Sequence, residues 1–253
     1  TGSRQLPAFF LTFFFSPTVV GYYAVGNRVL HLPISLIGSA IGQVFFQRAS
    51  ATYQGEESLS GLVLSLFRRL VAFGLFPMLL LMVVGEDLFT LVFGAQWSEA
   101  GVYAQILSPW MFFVFISSPM STLFSILERQ EAALLRDIVI LVSRAATLGI
   151  GGMLGDERLT LFLFSGSGVL VYGALSFWIL KMSNVSKSSI FYVFLRYLGV
   201  SVLVISPLVA IKFLTSADSL ALLAGAVITG GIYALFLIRQ ESELIQQLRQ
   251  LVA

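Results

Sequence analysis

The sequence predicts an all-α integral membrane protein, a multi-span bundle of helices that cross a bilayer. Three observations predict it. Hydrophobic residues make up 57% of the chain and charged residues 11%, where a soluble domain carries about 25% charged, and the mean hydropathy is +0.92. Apolar stretches of about 20 residues, the length that crosses a hydrocarbon core, follow one another with short polar breaks. Lys and Arg collect in alternate breaks, as the positive-inside rule requires.

Leu6–Phe15 is apolar but too short to span, and no small-residue cleavage site follows it, so a signal peptide fits poorly. It is expected to be a truncated spanning helix broken at Ser16-Pro17, in a chain that is part of a longer protein. Thr18–Ser50 is long enough to cross, yet carries Asn27, Arg28 and His31 near its middle. A polar connector, Gln47–Ser60, leads to Gly61–Val84. Gly85–Ser98 is expected to be a short amphipathic helix with Glu86 and Asp87 at its N-terminus, where the dipole favours negative charge, and Trp97 at the interface. Glu99–Leu127, Ala132–Leu154, Leu159–Leu180, Ile190–Leu214 and Ser219–Ile238 are further spans. Residues 1–253 are thus expected to form one bundle of seven complete spans plus one truncated at the N-terminus. The tail 239–253 puts Leu244, Ile245, Leu248 and Leu251 on one face, an amphipathic segment for the cytoplasmic membrane surface.

If Arg4 starts in the cytoplasm, alternation puts Arg48, Arg68, Arg69, Arg129, Arg136, Lys181, Lys187, Arg196, Arg239 and Arg249 there too. Only Arg158 and Lys212 fall on the far side, with the acids Glu86, Asp87, Glu99, Asp156, Glu157 and Asp218. The C-terminus is therefore expected in the cytoplasm.

There is no cysteine and a single histidine, which removes disulfides, thiolate or His-cluster metal sites and most histidine acid–base schemes. No metal, cofactor or catalytic residue is expected, and the chain is read as a non-enzyme. No Asp or Glu lies deep in a span, Asp137 coming nearest, whereas Arg28 and Arg144 sit mid-span. Burying an Arg costs between roughly 2.5 and 17 kcal/mol by method, so such groups turn to a protein interior or a watery cavity. Unbalanced basic groups suit an anionic ligand, because phosphate matches the guanidinium fork. Arg28, His31, Ser35, Ser39 and Gly42 or Gln43 recur at steps of three and four and share a helical face. Leu30 and Ile34 are expected to face away. Pro33 interrupts the ladder within that stripe, where a kink or opening is expected. The structural alternative is that the stripe packs on neighbouring helices, with Arg28 held by a buried partner and Arg144 snorkelling or held by a carbonyl. Gly38…Gly42 forms a GxxxG, and glycines at 149, 151, 152, 166, 168, 225, 230 and 231 offer close approaches. Asn184-Val185-Ser186 matches a glycosylation sequon by chance, in an expected cytoplasmic loop.

The run Gly21-Tyr22-Tyr23-Ala24 … Arg28-Val29-Leu30 … Leu32-Pro33-Ile34-Ser35-Leu36-Ile37-Gly38-Ser39-Ala40-Ile41-Gly42-Gln43-Val44-Phe45-Phe46-Gln47-Arg48-Ala49 resembles the polysaccharide-biosynthesis flippases. These are Wzx-type O-antigen and capsule exporters of the multidrug/oligosaccharidyl-lipid/polysaccharide superfamily. Leu91-Val92-Phe93-Gly94 … Trp97 … Glu99-Ala100-Gly101-Val102-Tyr103-Ala104, then Leu107-Ser108-Pro109-Trp110 and Ser117-Ser118-Pro119, resemble them too. The resemblance is specific to about Arg136 and hydropathic beyond. It implies the C-terminal half of a two-bundle fold in the bacterial inner membrane. The implied function is moving an undecaprenyl-diphosphate-linked oligosaccharide between leaflets by alternating access, in lipopolysaccharide and polysaccharide biosynthesis. The implied partners are that substrate, membrane lipids and the protein's own N-terminal bundle, with no nucleic acid. A basic residue on the family's eighth helix matches Arg28. The expected diphosphate and sugar contacts are Arg28 first, with His31 and Asn27 beside it, then Gln43 and Arg144. The alternatives are a non-transporting scaffold for glycan enzymes and, third, a drug/cation antiporter of the same superfamily. Cysteines placed at Ser183 and Thr215 should label from opposite sides of the membrane. Equal access of both to an impermeant reagent would overturn the topology.

Overall fold

The computed structural model describes residues 5–54, 59–214 and 218–240. They form ten α-helices: α1 Leu6–Phe14, α2 Pro17–Pro33, α3 Ser39–Gln54, α4 Leu59–Phe93, α5 Ser98–Met120, α6 Leu123–Ile126, α7 Gln130–Leu154, α8 Glu157–Met182, α9 Lys187–Leu214 and α10 Ser219–Gln240. Five of the helical segments are long and apolar enough to cross a membrane: Leu59–Phe93, Ala95–Ile126, Glu157–Met182, Lys187–Leu214 and Ser219–Gln240. The other two stretches expected to span, Thr18–Ser50 and Ala132–Leu154, are also helical, and they carry the polar residues described below. Arg4, Thr215 and the tail beyond Gln240 lie outside the described residues.

The centre of the bundle is α5. In the most apolar window of its segment 67% is buried, against 28–39% for the other spans. It packs on α4, α8, α2 and α3, while α9 and α10 pack on the other side of α4, and α7 joins α8 and α1. Small residues set the α4–α5 distance. A Cβ on Gly101 would lie 2.6 Å from both the Gly85 carbonyl oxygen and the Glu86 Cα, and one on Gly26 would lie 2.9 Å from the Ala100 carbonyl oxygen. By contrast, the expected GxxxG makes only ordinary contacts, with Gly38 and Gly42 about 3.8 Å from Phe115 and Pro119. The outer faces of α7–α10 expose Leu134, Val142, Phe162, Leu203 and Val227, an apolar surface for lipid tails.

Helix breaks follow the turn chemistry. Gly94, at φ +98°, stops α4, and Gly155, at φ +75°, stops α7 before the Asp156 carboxylate accepts from the Leu159 N–H at 3.0 Å. Asn184 ends α8 at φ +57°, with the Val185 N–H reaching back to the Leu180 carbonyl. The sequon asparagine is thus the left-handed residue just past the C-cap Ser183. Two expectations change. Gly85–Ser98 is not a separate amphipathic helix, because α4 runs unbroken to Phe93, and Glu86 and Asp87 sit inside it. Its N-terminal dipole therefore cannot hold them. The connector Gln47–Ser60 is helical as far as Gln54.

What holds Asp87 instead is an ion pair. Lys212 Nζ donates to Asp87 Oδ2 and to the Val83 carbonyl, both at 2.7 Å, and Ser219 Oγ donates to Asp87 Oδ1 at 3.2 Å. At the same end, Arg158 grips Glu99 with two hydrogen bonds of 2.7 and 2.6 Å. Both cations assigned to the acid-rich end are paired there. The Lys/Arg-rich end holds Arg68 against the Tyr197 hydroxyl and Arg196 against Gln240.

Two expected outcomes follow. Ser183 is only 3% exposed, so the accessible labelling position is Ser188, paired with Asp218, and these should label from opposite sides. Gly101→Ala forces backbone apart and should cost about 1–3 kcal/mol, lowering the thermal midpoint in detergent. Gly166→Ala, with nothing within 4 Å of its Cβ, should melt like the parent.

Candidate functional site

Pro33 has no N–H to continue the ladder, and the chain answers with a π-helical turn, Ile34–Gly38, between α2 and α3. The opening expected at Pro33 is present as this extra residue in the turn, a feature that favours functional sites. With α2 it borders a cavity of about 470 Å³ against α5, α7 and α8.

The cavity wall on α7 and α8 is cationic and aromatic. Arg144 is 9% exposed, and its Nη2 donates to the Tyr172 hydroxyl at 2.9 Å. The guanidinium lies 5.6, 5.9 and 6.0 Å from the ring centres of Trp110, Phe164 and Tyr172. Each such contact is worth roughly 0.5–2 kcal/mol depending on desolvation, so the cage offsets part of the burial cost. Gly168 makes the cage possible, since a Cβ there would sit 2.2 Å from Trp110 Cδ1. About two turns back along α7, Arg136 pairs with Asp137 at 2.9 Å and lies over the Phe124 ring at 5.7 Å. Both line the cavity. Asp137 is the carboxylate that came nearest to a span in the sequence, and here it meets a guanidinium rather than standing alone.

The other wall comes from α2, the π-turn and α5, with Tyr23, Asn27, His31, Ser35, Ser117, Ser118 and Ser121. Of the five residues expected to contact substrate, Asn27, His31 and Arg144 meet in this cavity. Gln43 lines a neighbouring groove with Gln47, Phe46, Ser118 and Thr122. Arg28 lines neither. It is exposed, on the side of α2 opposite the buried Gly26 and Leu30. Of the two residues expected to face away from the stripe, Leu30 is fully buried in the core and lines neither space, whereas Ile34 lines both. By helical rise, Asn27 is about 15 Å from the start of α2 and Arg144 about 15 Å from the end of α7, close to the middle of a ~30 Å core. Arg136, Tyr172 and Trp110 were missed as site residues. The available signal was the motif Leu107-Ser108-Pro109-Trp110, which the fold brings against the stripe on α2.

Residues 1–102 match the model of a polysaccharide biosynthesis protein family. The match covers α1 to the start of α5, including the π-turn and the α2 wall, and stops short of Arg144. No curated protein and no solved structure matches the chain.

The cage makes an energetic prediction. Tyr172→Phe removes the hydroxyl that accepts from Arg144 and keeps the ring, and should cost about 0.5–1.5 kcal/mol. Trp110→Ala empties the space against Gly168 and Phe164 and should cost about 3–5 kcal/mol. Thermal unfolding in detergent measures both, and an equal loss would show that the ring does not brace Arg144.

Proposed function

We propose that the chain is a carrier that moves a lipid-linked oligosaccharide, an undecaprenyl-diphosphate glycan, across the bacterial cytoplasmic membrane for polysaccharide, lipopolysaccharide and O-antigen assembly. One observation carries the reading. A membrane bundle whose first 102 residues match a polysaccharide biosynthesis family holds Arg136 and Arg144 on one wall of a polar cavity. The family match supports the glycan pathway, and the two guanidiniums support an anionic head group. Translocation makes and breaks no covalent bond, so the chemistry needed is binding rather than catalysis.

In this mechanism the diphosphate meets Arg144, with Arg136 toward the Lys/Arg-rich end and His31 and Asn27 opposite. The lipid tail stays in the bilayer beside the bundle. A second bundle, upstream in the same protein, closes the cavity from the exposed face of α2, where Arg28 projects, and the two rock in alternating access. The C-terminus is then cytoplasmic and the cavity takes up substrate from that side. Arg144 replaces Arg28 as the first phosphate contact, because it is the one held at mid-depth inside a cavity.

Losing a charge-assisted phosphate contact should cost about 1.5–3 kcal/mol, roughly ten- to hundred-fold in affinity. Arg144→Ala in the complete protein should therefore remove most surface glycan, and Arg144→Lys should keep part, since the charge survives but the planar fork does not. Arg28→Ala should have the smaller effect. Protein level in the membrane is measured alongside export. Normal export with Arg144→Ala at normal abundance would remove the anionic site and, with it, this function.

A further inference from the structure

We infer that the Arg144 cavity and the groove beside it form one track with two chemistries: a cationic end for phosphate, and an uncharged polar end that takes the attached sugars past the π-turn. The inference rests on the carrier function proposed above and assigns the parts of its ligand to particular walls.

The two spaces adjoin. Ile34 and Ser118 line both the cavity of about 470 Å³ and the neighbouring groove of about 640 Å³. Their chemistry differs. Arg144 and the Arg136–Asp137 pair line the cavity, leaving it net cationic, whereas no charged side chain is among the residues that line the groove; Gln43, Gln47 and Thr122 supply its polar surface and Phe46 an aromatic one.

Within the groove, Thr122 donates its hydroxyl proton to the Pro119 carbonyl at 2.8 Å. A hydroxyl has one proton and two lone pairs. With the proton committed to the backbone, the Thr122 oxygen accepts from a sugar hydroxyl and offers nothing to phosphate, itself an acceptor. Gln43 and Gln47 add amides that donate and accept, the pairing a sugar's ring and hydroxyl oxygens need. A ligand that satisfies both walls carries its anionic group toward α7 and its hydroxyls along α5 and α3, as a glycosyl phosphate does. The waist at Ser118 is where the sugar nearest the phosphate turns the corner, and later sugars lie along Gln43 and Gln47.

The space is adjustable without breaking the fold. A Cβ on Gly42 in the groove would meet Pro119 at 3.8 Å, an ordinary contact. Gly42→Ala should therefore fold normally, and Gly42→Leu should narrow the groove.

The test uses the full chain in lipid nanodiscs and three probes: a polyprenyl diphosphate with no sugar, with one sugar and with four sugars. Gln43→Leu combined with Thr122→Val should weaken the four-sugar probe about tenfold, as Gly42→Leu should, and leave the sugar-free probe within twofold. Arg144→Gln should weaken all three probes. Circular dichroism and the Gly42→Ala variant establish that the bundle is intact. Equal effects of the groove variants on sugar-free and four-sugar probes, or no effect on either, would overturn the track while leaving the carrier function in place. Failure of the parent chain to bind any of the three probes would overturn both.

Discussion

The close approach of α4 and α5 is the constraint on which the rest of the bundle depends. At the contact of Gly85 with Gly101 there is no room for a methyl group on either helix. Inside a bilayer the lipid tails are as apolar as Leu, so helices gain little from hiding apolar surface and associate through close packing instead. With α4 seated against it, α5 becomes the post on which α2, α3 and α8 are arranged. That placement turns the C-terminal half of α5, with Trp110 and its serines, toward α2 and α7. A helix so nearly buried has no lipid-facing side to spare, and its polar residues must either satisfy themselves or line a cavity. Ser117, Ser121 and Thr122 do both, through bonds to carbonyls three residues back.

Arg144 shows how the bundle tolerates a cation at mid-depth. Its guanidinium is not left to a single partner. One hydroxyl takes a hydrogen bond and three rings face it, and the rings also fill space between α5, α7 and α8. Guanidinium is weakly hydrated and planar, so it suits an aromatic slot where an ammonium would hold its water. The stacking pair Phe76–Tyr233, 4.3 Å apart, with the Tyr233 hydroxyl donating to the Ala72 carbonyl at 2.7 Å, joins α10 to α4 with no charge in it. Aromatic packing is thus general in the bundle, and at one position it has been shaped around a cation.

Much of this was legible in the sequence, and what was missed has physical causes. Length and apolarity marked the spans, Pro33 marked the break in the stripe, and Arg144 stood out as a mid-span cation. Arg28 was ranked above Arg144 because helical periodicity says which residues share a face, not whether that face meets protein. In the fold, Asn27 and His31 turn inward, while Arg28, 60° further round than His31 on an ideal helix, lies outside. Glu86 and Asp87 were read as a helix start because a Gly precedes two acids, yet that Gly packs against Gly101 and the helix continues. Trp110 and Tyr172 were invisible as a cage, since an aromatic on an apolar helix is ordinarily core, and only the tertiary contact with Arg144 distinguishes them.

The charges at the two ends complete the physical picture. At the acid-rich end, Lys212–Asp87 and Arg158–Glu99 tie α9 to α4 and α8 to α5. Arg158 is mostly exposed, and pairs of that kind are worth about 0–1 kcal/mol in water; Lys212–Asp87 is largely buried, where desolvation offsets the attraction, so both define which helix ends adjoin more than they stabilise the bundle. At the other end the cations outnumber the acids, and Arg136 belongs to both the surface and the cavity: its side chain is 21% exposed while it lines the space that reaches Arg144. Asp137 compensates Arg136 at the rim, so the caged Arg144, about 12 Å deeper by helical rise, is the stronger attraction for an anion. Salt screens the rim within a Debye length of about 8 Å at physiological strength, and screens the caged cation far less. Added salt therefore weakens first encounter at the rim before it weakens holding at Arg144.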